Sequence, residues 1–130
     1  MFENADLIFS YSRKQAIEDG VLVDLMQPQT EALVREAGFK VPVAMTAEAF
    51  ATAVCPLDGK LPAGQDLNGR LWDVLVMLRM AISPQRNTDR VDFAVEVSDG
   101  RKHQRVDLYA LIGPGDEGEP VLTIMLPWED

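Results

Sequence analysis

The spacing of apolar residues predicts one long helix in the middle of the chain, over about residues 67–82. Two apolar stripes run along it at helical spacing, one through Leu71, Leu75, Leu78 and Ile82 and the other through Trp72, Val76 and Met80. A helix that is apolar around most of its circumference is normally buried. We therefore expect this helix to form the centre of the fold, with its methionines filling the core.

Shorter helices are predicted before the long one, each from a capping signal at its first residue. Ser12 is followed three residues later by Gln15, which is the pattern of a capping box. Thr30 and Thr46 are the caps expected for the two helices that follow. The three helices are predicted to run from Ser12 to Gly20, from Thr30 to about Phe39, and from Thr46 to about Val54. Residues 21–25 are predicted to form a brief strand, residues 41–45 to be extended, and residues 56–65 to form a loop.

The last third of the chain changes to a period of two, which is typical of half-buried strands. We predict strands over about residues 91–98, 102–112 and 121–126. Asp99-Gly100 favours a two-residue hairpin turn. That turn would place Phe93 opposite Val106, Val91 opposite Leu108, and Glu96 opposite His103. The expected fold class is α+β, with short helices and one long helix packed on a three-stranded antiparallel meander.

Composition and length favour a single globular domain over residues 1–130. The chain is 47% hydrophobic and 25% charged, with a net charge of −9, so generic binding to nucleic-acid phosphates is not expected. Cys55 is the one cysteine, which excludes an intrachain disulfide and a multi-cysteine zinc site. We expect Cys55 to pack as a small apolar residue, and no cofactor or metal ion. The first ten residues lack a signal-peptide pattern and no apolar run could cross a membrane, so a cytoplasmic protein is expected.

The outer face of the predicted hairpin carries the strongest candidate for catalysis. Glu96 opposite His103 would form the carboxylate–imidazole pair that a general base requires. The alternative is a solvated strand face whose charges pair across the strands. Asp92 opposite Asp107 would be unfavourable unless Arg90 or Arg105 bridges the two carboxylates. No nucleophile accompanies the pair, so a non-enzymatic protein is the main expectation.

Two charged segments are the predicted contacts with a protein partner. An acidic loop between the last two strands contains Asp116, Glu117 and Glu119, and a basic segment on the hairpin contains Arg101, Lys102 and Arg105. A surface with both signs of charge suits a protein contact. The acidic loop can equally be only a solvated connection between two strands, and both interpretations stay open here.

Several stretches resemble an uncharacterised family of small bacterial proteins carried on plasmids and integrated mobile elements. The resemblance is strongest over residues 9–24, FSYSRKQAIEDGVLVD, and continues in AGF at 37–39, PVAMT at 42–46, GRLWDVL at 69–75 and GPGDEGEP at 113–120. It implies no activity and no catalytic residue. The resemblance implies that the chain is one of the accessory proteins of mobile elements.

Three functions are therefore weighed. The first is a non-enzymatic accessory protein of a mobile element that binds a protein, in the form of an acidic inhibitor of a host CRISPR or restriction complex. Its carboxylates would occupy a basic surface built for nucleic acid. The second is a small enzyme that uses Glu96 and His103, and the third is a housekeeping interaction protein. The first is the one we expect, with no direct binding to nucleic acid or membrane.

Overall fold

The computed structural model describes residues 12–56, 58–82, 89–98 and 100–129, and it contains helices and one five-stranded sheet. The helices are α1 (Arg13–Glu18), α2 (Glu31–Glu36), α3 (Ala47–Ala53) and α4 (Leu67–Ala81). The strands are β1 (Leu22–Asp24), β2 (Val43–Thr46), β3 (Arg90–Ser98), β4 (His103–Pro114) and β5 (Pro120–Met125). The α+β class predicted from the sequence is confirmed.

The sheet is larger than the predicted three-stranded meander. Its strand order is β1-β2-β5-β4-β3, in which β3, β4 and β5 pair antiparallel as expected. The prediction of three strands is wrong because β2 pairs parallel to β5, and β1 then pairs antiparallel to β2. The pattern of β1 and β2 indicated extended chain, but nothing local to either segment shows which distant strand it joins. Strand β3 is left at one edge of the sheet.

The predicted register of the β3–β4 hairpin is also wrong. Ser98 pairs with His103, so the connection is four residues long rather than two. Glu96 therefore lies opposite Arg105, and Phe93 lies opposite Leu108. The partner of each β3 residue lies two positions further along β4 than predicted, so the same side chains stay on the same face. Gly100 has a φ of 96° and its N–H donates to the Ser98 hydroxyl; residue 99 of the predicted turn lies outside the described residues.

The core lies between one face of the sheet and helices α2, α3 and α4. Val43, Leu108 and Ile124 from the sheet belong to the same buried cluster as Leu71 and Leu75 of α4. The predicted central position of α4 is confirmed for its first stripe, since Leu71, Leu75 and Leu78 are fully buried. In the described part of the chain, no helix is long and apolar enough to cross a membrane.

The second stripe of α4 is not in the core, contrary to the prediction. Trp72 and Val76 are only half-buried, while Met77 is 42% exposed and Met80 is 73% exposed. The helix lies near the edge of the sheet, so only one side of it faces other apolar residues. A periodic pattern identifies an apolar face, but it does not show whether a second element covers that face.

The capping predictions are confirmed for Ser12 and Thr46, whose hydroxyl oxygens accept from the N–H of Gln15 and Ala49 respectively. Thr30 precedes α2 as predicted, but its hydroxyl donates instead to the Leu25 carbonyl at 2.7 Å. Buried polar groups need a hydrogen-bond partner, and Thr30 satisfies this carbonyl rather than the helix N–H groups.

Helix α1 lies on the sheet face opposite the core. Arg13 donates from Nη1 to the Thr123 hydroxyl at 2.9 Å and from Nη2 to the Leu122 carbonyl at 3.1 Å. Side chains alternate between the two faces of a strand. The Thr123 side chain therefore points away from the core that its neighbours Leu122 and Ile124 occupy, and α1 packs on that second face.

Candidate functional site

A groove runs between α4 and the edge strand β3, beside the second stripe of α4. It has two lobes of about 490 and 650 Å³. Both lobes are lined by Trp72 and Asp73 of α4 and by Val95 and Glu96 of β3. We call this surface the α4–β3 groove.

The larger lobe is mainly apolar. It is lined by Val76, Met77 and Met80 of α4 and by the consecutive residues Phe93 to Glu96 of β3. Neighbouring residues of a strand point to opposite faces. Four consecutive residues can therefore line one cavity only where the strand has no neighbour on that side, which is the free edge of the sheet.

The hydrogen bonds of β3 show which backbone groups face this edge. The Asp89 carbonyl accepts from the N–H of Ile112 on β4. Backbone groups alternate in direction along an antiparallel strand, so residues 91, 93, 95 and 97 face β4. The N–H and C=O groups of Asp92, Ala94 and Glu96 consequently point away from β4, toward the groove. Within the described residues, no strand pairs with this side of β3.

The end of the edge is already occupied by side chains from α4 and the loop before it. The Ser98 carbonyl accepts from Arg70 Nη2 and from Gln65 Nε2, both at 3.3 Å. Arg70 Nη1 also donates to the Val54 carbonyl at 3.4 Å. These contacts fix the start of α4 against the end of β3, and the edge stays open only before Ser98.

The charged side chains of the groove differ in whether they have a hydrogen-bond or ion-pair partner. Asp66 accepts from the Gly69 N–H as the cap of α4, and Arg70 is bonded to backbone carbonyls. Asp73 and Glu96 are exposed, and among the described residues neither carboxylate makes a hydrogen bond or an ion pair. Two carboxylates without an ion pair therefore line both lobes, together with Trp72.

The predicted Glu96–His103 pair is not formed. His103 lies opposite Ser98 and is exposed, although it lines the same lobe as Glu96. No hydrogen bond joins the two side chains in the described residues. A general base oriented by a carboxylate needs that hydrogen bond, so this geometry lends no support to the enzymatic alternative.

The predicted contact between Asp92 and Asp107 is also absent. Asp92 lies opposite Tyr109, and Asp107 lies opposite Ala94. Arg90 Nη2 lies 3.0 Å from an Asp92 oxygen, and Arg105 Nε lies 2.8 Å from an Asp107 oxygen. Each carboxylate is thus neutralised by the arginine two residues before it on its own strand.

The predicted basic segment lies on the surface. Arg101, Lys102 and Arg105 are all exposed. Arg105 is paired with Asp107, and it also lines the larger lobe of the groove. The structure therefore places one of the three basic residues at the groove, and a partner contact through all three stays a prediction.

The acids of the loop between β4 and β5 accept hydrogen bonds, both from α1 and within the loop, that the sequence pattern did not reveal. Asp116 Oδ1 accepts from the Arg13 N–H at 2.7 Å, and Oδ2 accepts from the Lys14 N–H at 3.0 Å. Glu119 Oε1 accepts from the Glu117 N–H at 2.9 Å. Asp116 thus binds the first N–H groups of α1, and Glu117 is the one of the three acids whose side chain makes no hydrogen bond or ion pair within the described residues. Partner binding by these residues stays a prediction.

Arg13 lies beneath this loop. Burial lowers the pKa of its guanidinium from the ordinary value, while the charges of Asp24, Asp116 and Glu119 act in the opposite direction. A buried cation is stabilised when it is paired and hydrogen-bonded. The acids of the loop therefore also support the folded position of Arg13, which is a structural role.

Cys55 is half-buried, packs against the core and donates from Sγ to the Pro56 carbonyl at 3.6 Å. This agrees with its expected role as a small apolar residue. Within the residues that the structure describes, no three His, Cys, Asp or Glu side chains are grouped closely enough to hold a metal ion.

The groove was missed in the sequence, and one signal could have indicated it. The second stripe of α4 contains a tryptophan and a methionine beyond what one buried helix face needs, and Met77 lies beside it.

Comparison with known proteins adds a family but no activity. No curated protein and no solved structure matches the chain. A family model, DUF6573, a family of unknown function, matches residues 1–130, and the chain therefore belongs to that family.

Proposed function

We propose that this protein is a non-enzymatic binding protein that contacts a protein partner through the α4–β3 groove. The observation that carries the proposal is the exposed apolar stripe of α4 beside an open strand edge. Met80 is 73% exposed and Met77 is 42% exposed. Contiguous exposed apolar surface rimmed by polar residues is typical of protein interaction sites. Methionine adapts its shape to varied partners, which suits such a surface.

The charges around the groove support a basic partner. The chain has a net charge of −9, and its groove contains the unneutralised carboxylates of Asp73 and Glu96. Complementary charge speeds association and selects partners. A partner surface that binds nucleic-acid phosphates is positively charged, and it would therefore complement these carboxylates.

The finer form of the proposal is an accessory protein of a mobile element that inhibits a host CRISPR or restriction complex. It rests on the family resemblance and on the acidic charge, which lets carboxylates occupy a basic surface. It is separable from the proposal of a binding groove, because a housekeeping partner could use the same groove.

The test is a comparative capture experiment with two matched variants. Met80→Glu places a charge in the groove, and Trp128→Glu places the same charge on a residue outside it with the same 73% exposure. Tagged wild type and both variants are used as bait in lysate from the natural host, with partners identified by mass spectrometry. We expect wild type and Trp128→Glu to capture the same partner, and Met80→Glu to lose it. Equal capture by all three would overturn the proposal.

A defence-complex subunit among the captured proteins would support the finer form. A metabolic or ribosomal partner lost on Met80→Glu would keep the groove and replace the inhibitor with a housekeeping role.

A further inference from the structure

The edge of β3 has the properties of a template for another strand. It is nine residues long, and its register with β4 continues from Arg90 to Ser98 without a bulge. Natural edge strands are usually protected by charged side chains, lysine above all, or by proline, bulges or a covering element. The β3 sequence RVDFAVEVS contains no proline and no lysine, and two of its three charged residues, Arg90 and Asp92, pair with each other. The N–H and C=O groups of Asp92, Ala94 and Glu96 face the groove without a partner strand in the described residues.

The groove beside this edge provides places for side chains of an added strand. Strand addition takes affinity from backbone hydrogen bonds and specificity from pockets for alternate side chains. Here the apolar wall is formed by Val76, Met77 and Met80, and the polar position is formed by Asp73 and Glu96. A residue of an added strand that points to the apolar wall would be apolar. A residue that reaches the carboxylates of Asp73 and Glu96 would be a cation.

The occupant is identified by charge. The carboxylates of Asp73 and Glu96 make no ion pair in the described part of the chain, since Arg105, which lies opposite Glu96, is paired with Asp107. Trp72 lines both lobes together with these two carboxylates. Tryptophan is the aromatic residue that best attracts a cation. A second copy of the chain is a weaker candidate, because each copy has a charge of −9 and like charges oppose association.

Resting on the proposed function, we infer that the partner inserts an extended segment with alternating apolar and basic residues, which pairs with β3 as a sixth strand. A lysine or arginine of that segment lies against Asp73, Glu96 and Trp72, and its apolar residues contact the exposed methionines of α4. The segment pairs through the N–H and C=O groups of Asp92, Ala94 and Glu96.

The probe is a fluorescein-labelled peptide of nine residues that alternates threonine or valine with lysine, and its binding is measured by fluorescence anisotropy. The same peptide with glutamate in place of lysine should not bind. Two further versions carry backbone N-methyl groups, either on the residues that pair with β3 or on those that face away. Both versions keep the charge, but only one loses the donors that pair with β3. Because both methylation patterns are synthesised, the test does not depend on which edge of the peptide faces β3, or on whether the peptide runs parallel or antiparallel to β3.

We expect one methylation pattern to abolish binding and the other to leave it within about twofold, since only one edge of an added strand donates to β3. The pair Asp73→Asn and Glu96→Gln should weaken the lysine peptide about tenfold, as two partly solvated ion pairs are lost. Glu18→Gln with Glu36→Gln removes the same charge at exposed positions outside the groove and should leave binding within about twofold.

Equal effects of the two methylation patterns, or equal effects of the two double variants, would overturn strand addition at this edge. Loss of strand pairing alone would leave the capture result with Met80→Glu intact, so the two proposals fail separately. Light scattering of the protein alone tests the other occupant. A stable dimer whose Ala94 amide is protected from hydrogen exchange would assign the edge to a second copy and overturn the inference.

Discussion

Asp116 and Arg13 are 103 residues apart in the chain, yet Asp116 Oδ1 accepts a hydrogen bond from the Arg13 N–H at 2.7 Å. Its second oxygen accepts from the Lys14 N–H. The first N–H groups of a helix have no partner within the helix, and a negative charge there is favourable. The β4–β5 loop therefore holds the start of α1 in place on the outer face of the sheet.

We expect Asp116→Ala to lower the free energy of unfolding by about 1–2 kcal/mol, because it removes both bonds at the helix terminus. Urea denaturation measures the change. Glu117→Ala is the matched control, since the Glu117 side chain is exposed, and its effect should stay within about 0.5 kcal/mol. Equal unfolding midpoints for the two variants would show that the contact does not stabilise the fold.

The two stripes of α4 should differ in their effect on stability. Leu75 is fully buried and Met80 is 73% exposed. Leu75→Ala should cost about 2–5 kcal/mol, because it removes buried methyl groups and leaves a cavity. Met80→Ala should change the free energy of unfolding by no more than about 0.5 kcal/mol. A comparable loss in both variants, measured by thermal or urea unfolding, would mean that Met80 belongs to the core.

Thr46 and Glu129 should be energetically coupled. The Thr46 hydroxyl donates to Glu129 Oε1 at 2.6 Å while accepting from the Ala49 N–H, and the same Glu129 oxygen accepts from the Leu126 N–H at 2.8 Å. A double-mutant cycle with Thr46→Val and Glu129→Ala should give a coupling of about 1.5 kcal/mol, the lower end for hydrogen bonds to charged groups. Thr46→Ser keeps the hydroxyl and should keep the coupling. Additive effects of the two changes would contradict the contact.

Local signals predicted much of this fold. The hydroxyls of Ser12 and Thr46 cap helices, and the apolar alternation of Val91 to Val97 marks a strand, because these patterns depend on residues close together in the chain. The parallel pairing of β2 with β5 depends on residues almost 80 positions apart, and no local pattern specifies it. The prediction of the hairpin register was wrong for a simpler reason, because a Gly with positive φ occurs in turns of more than one length.

The candidate site was missed for a different reason. The periodic pattern identified Trp72, Val76 and Met80 as an apolar stripe, and burial was inferred from that pattern alone. Whether such a stripe is buried depends on the position of α4 near an edge strand, which is a property of the whole sheet. For the acids of the β4–β5 loop, the sequence did not show that Asp116, although exposed, accepts hydrogen bonds from the first N–H groups of α1. Departures from a local rule often occur at functional sites.

The most direct test of the groove is site-specific photo-crosslinking in cells of the natural host. A benzophenone amino acid is placed at position 80, inside the groove, or at position 128, which is outside it and equally exposed in the wild type. We expect a crosslinked product of one defined mass from position 80, reduced by Asp73→Asn with Glu96→Gln, and no such product from position 128. The same product from both positions, or none from position 80, would contradict a partner-binding role for this groove.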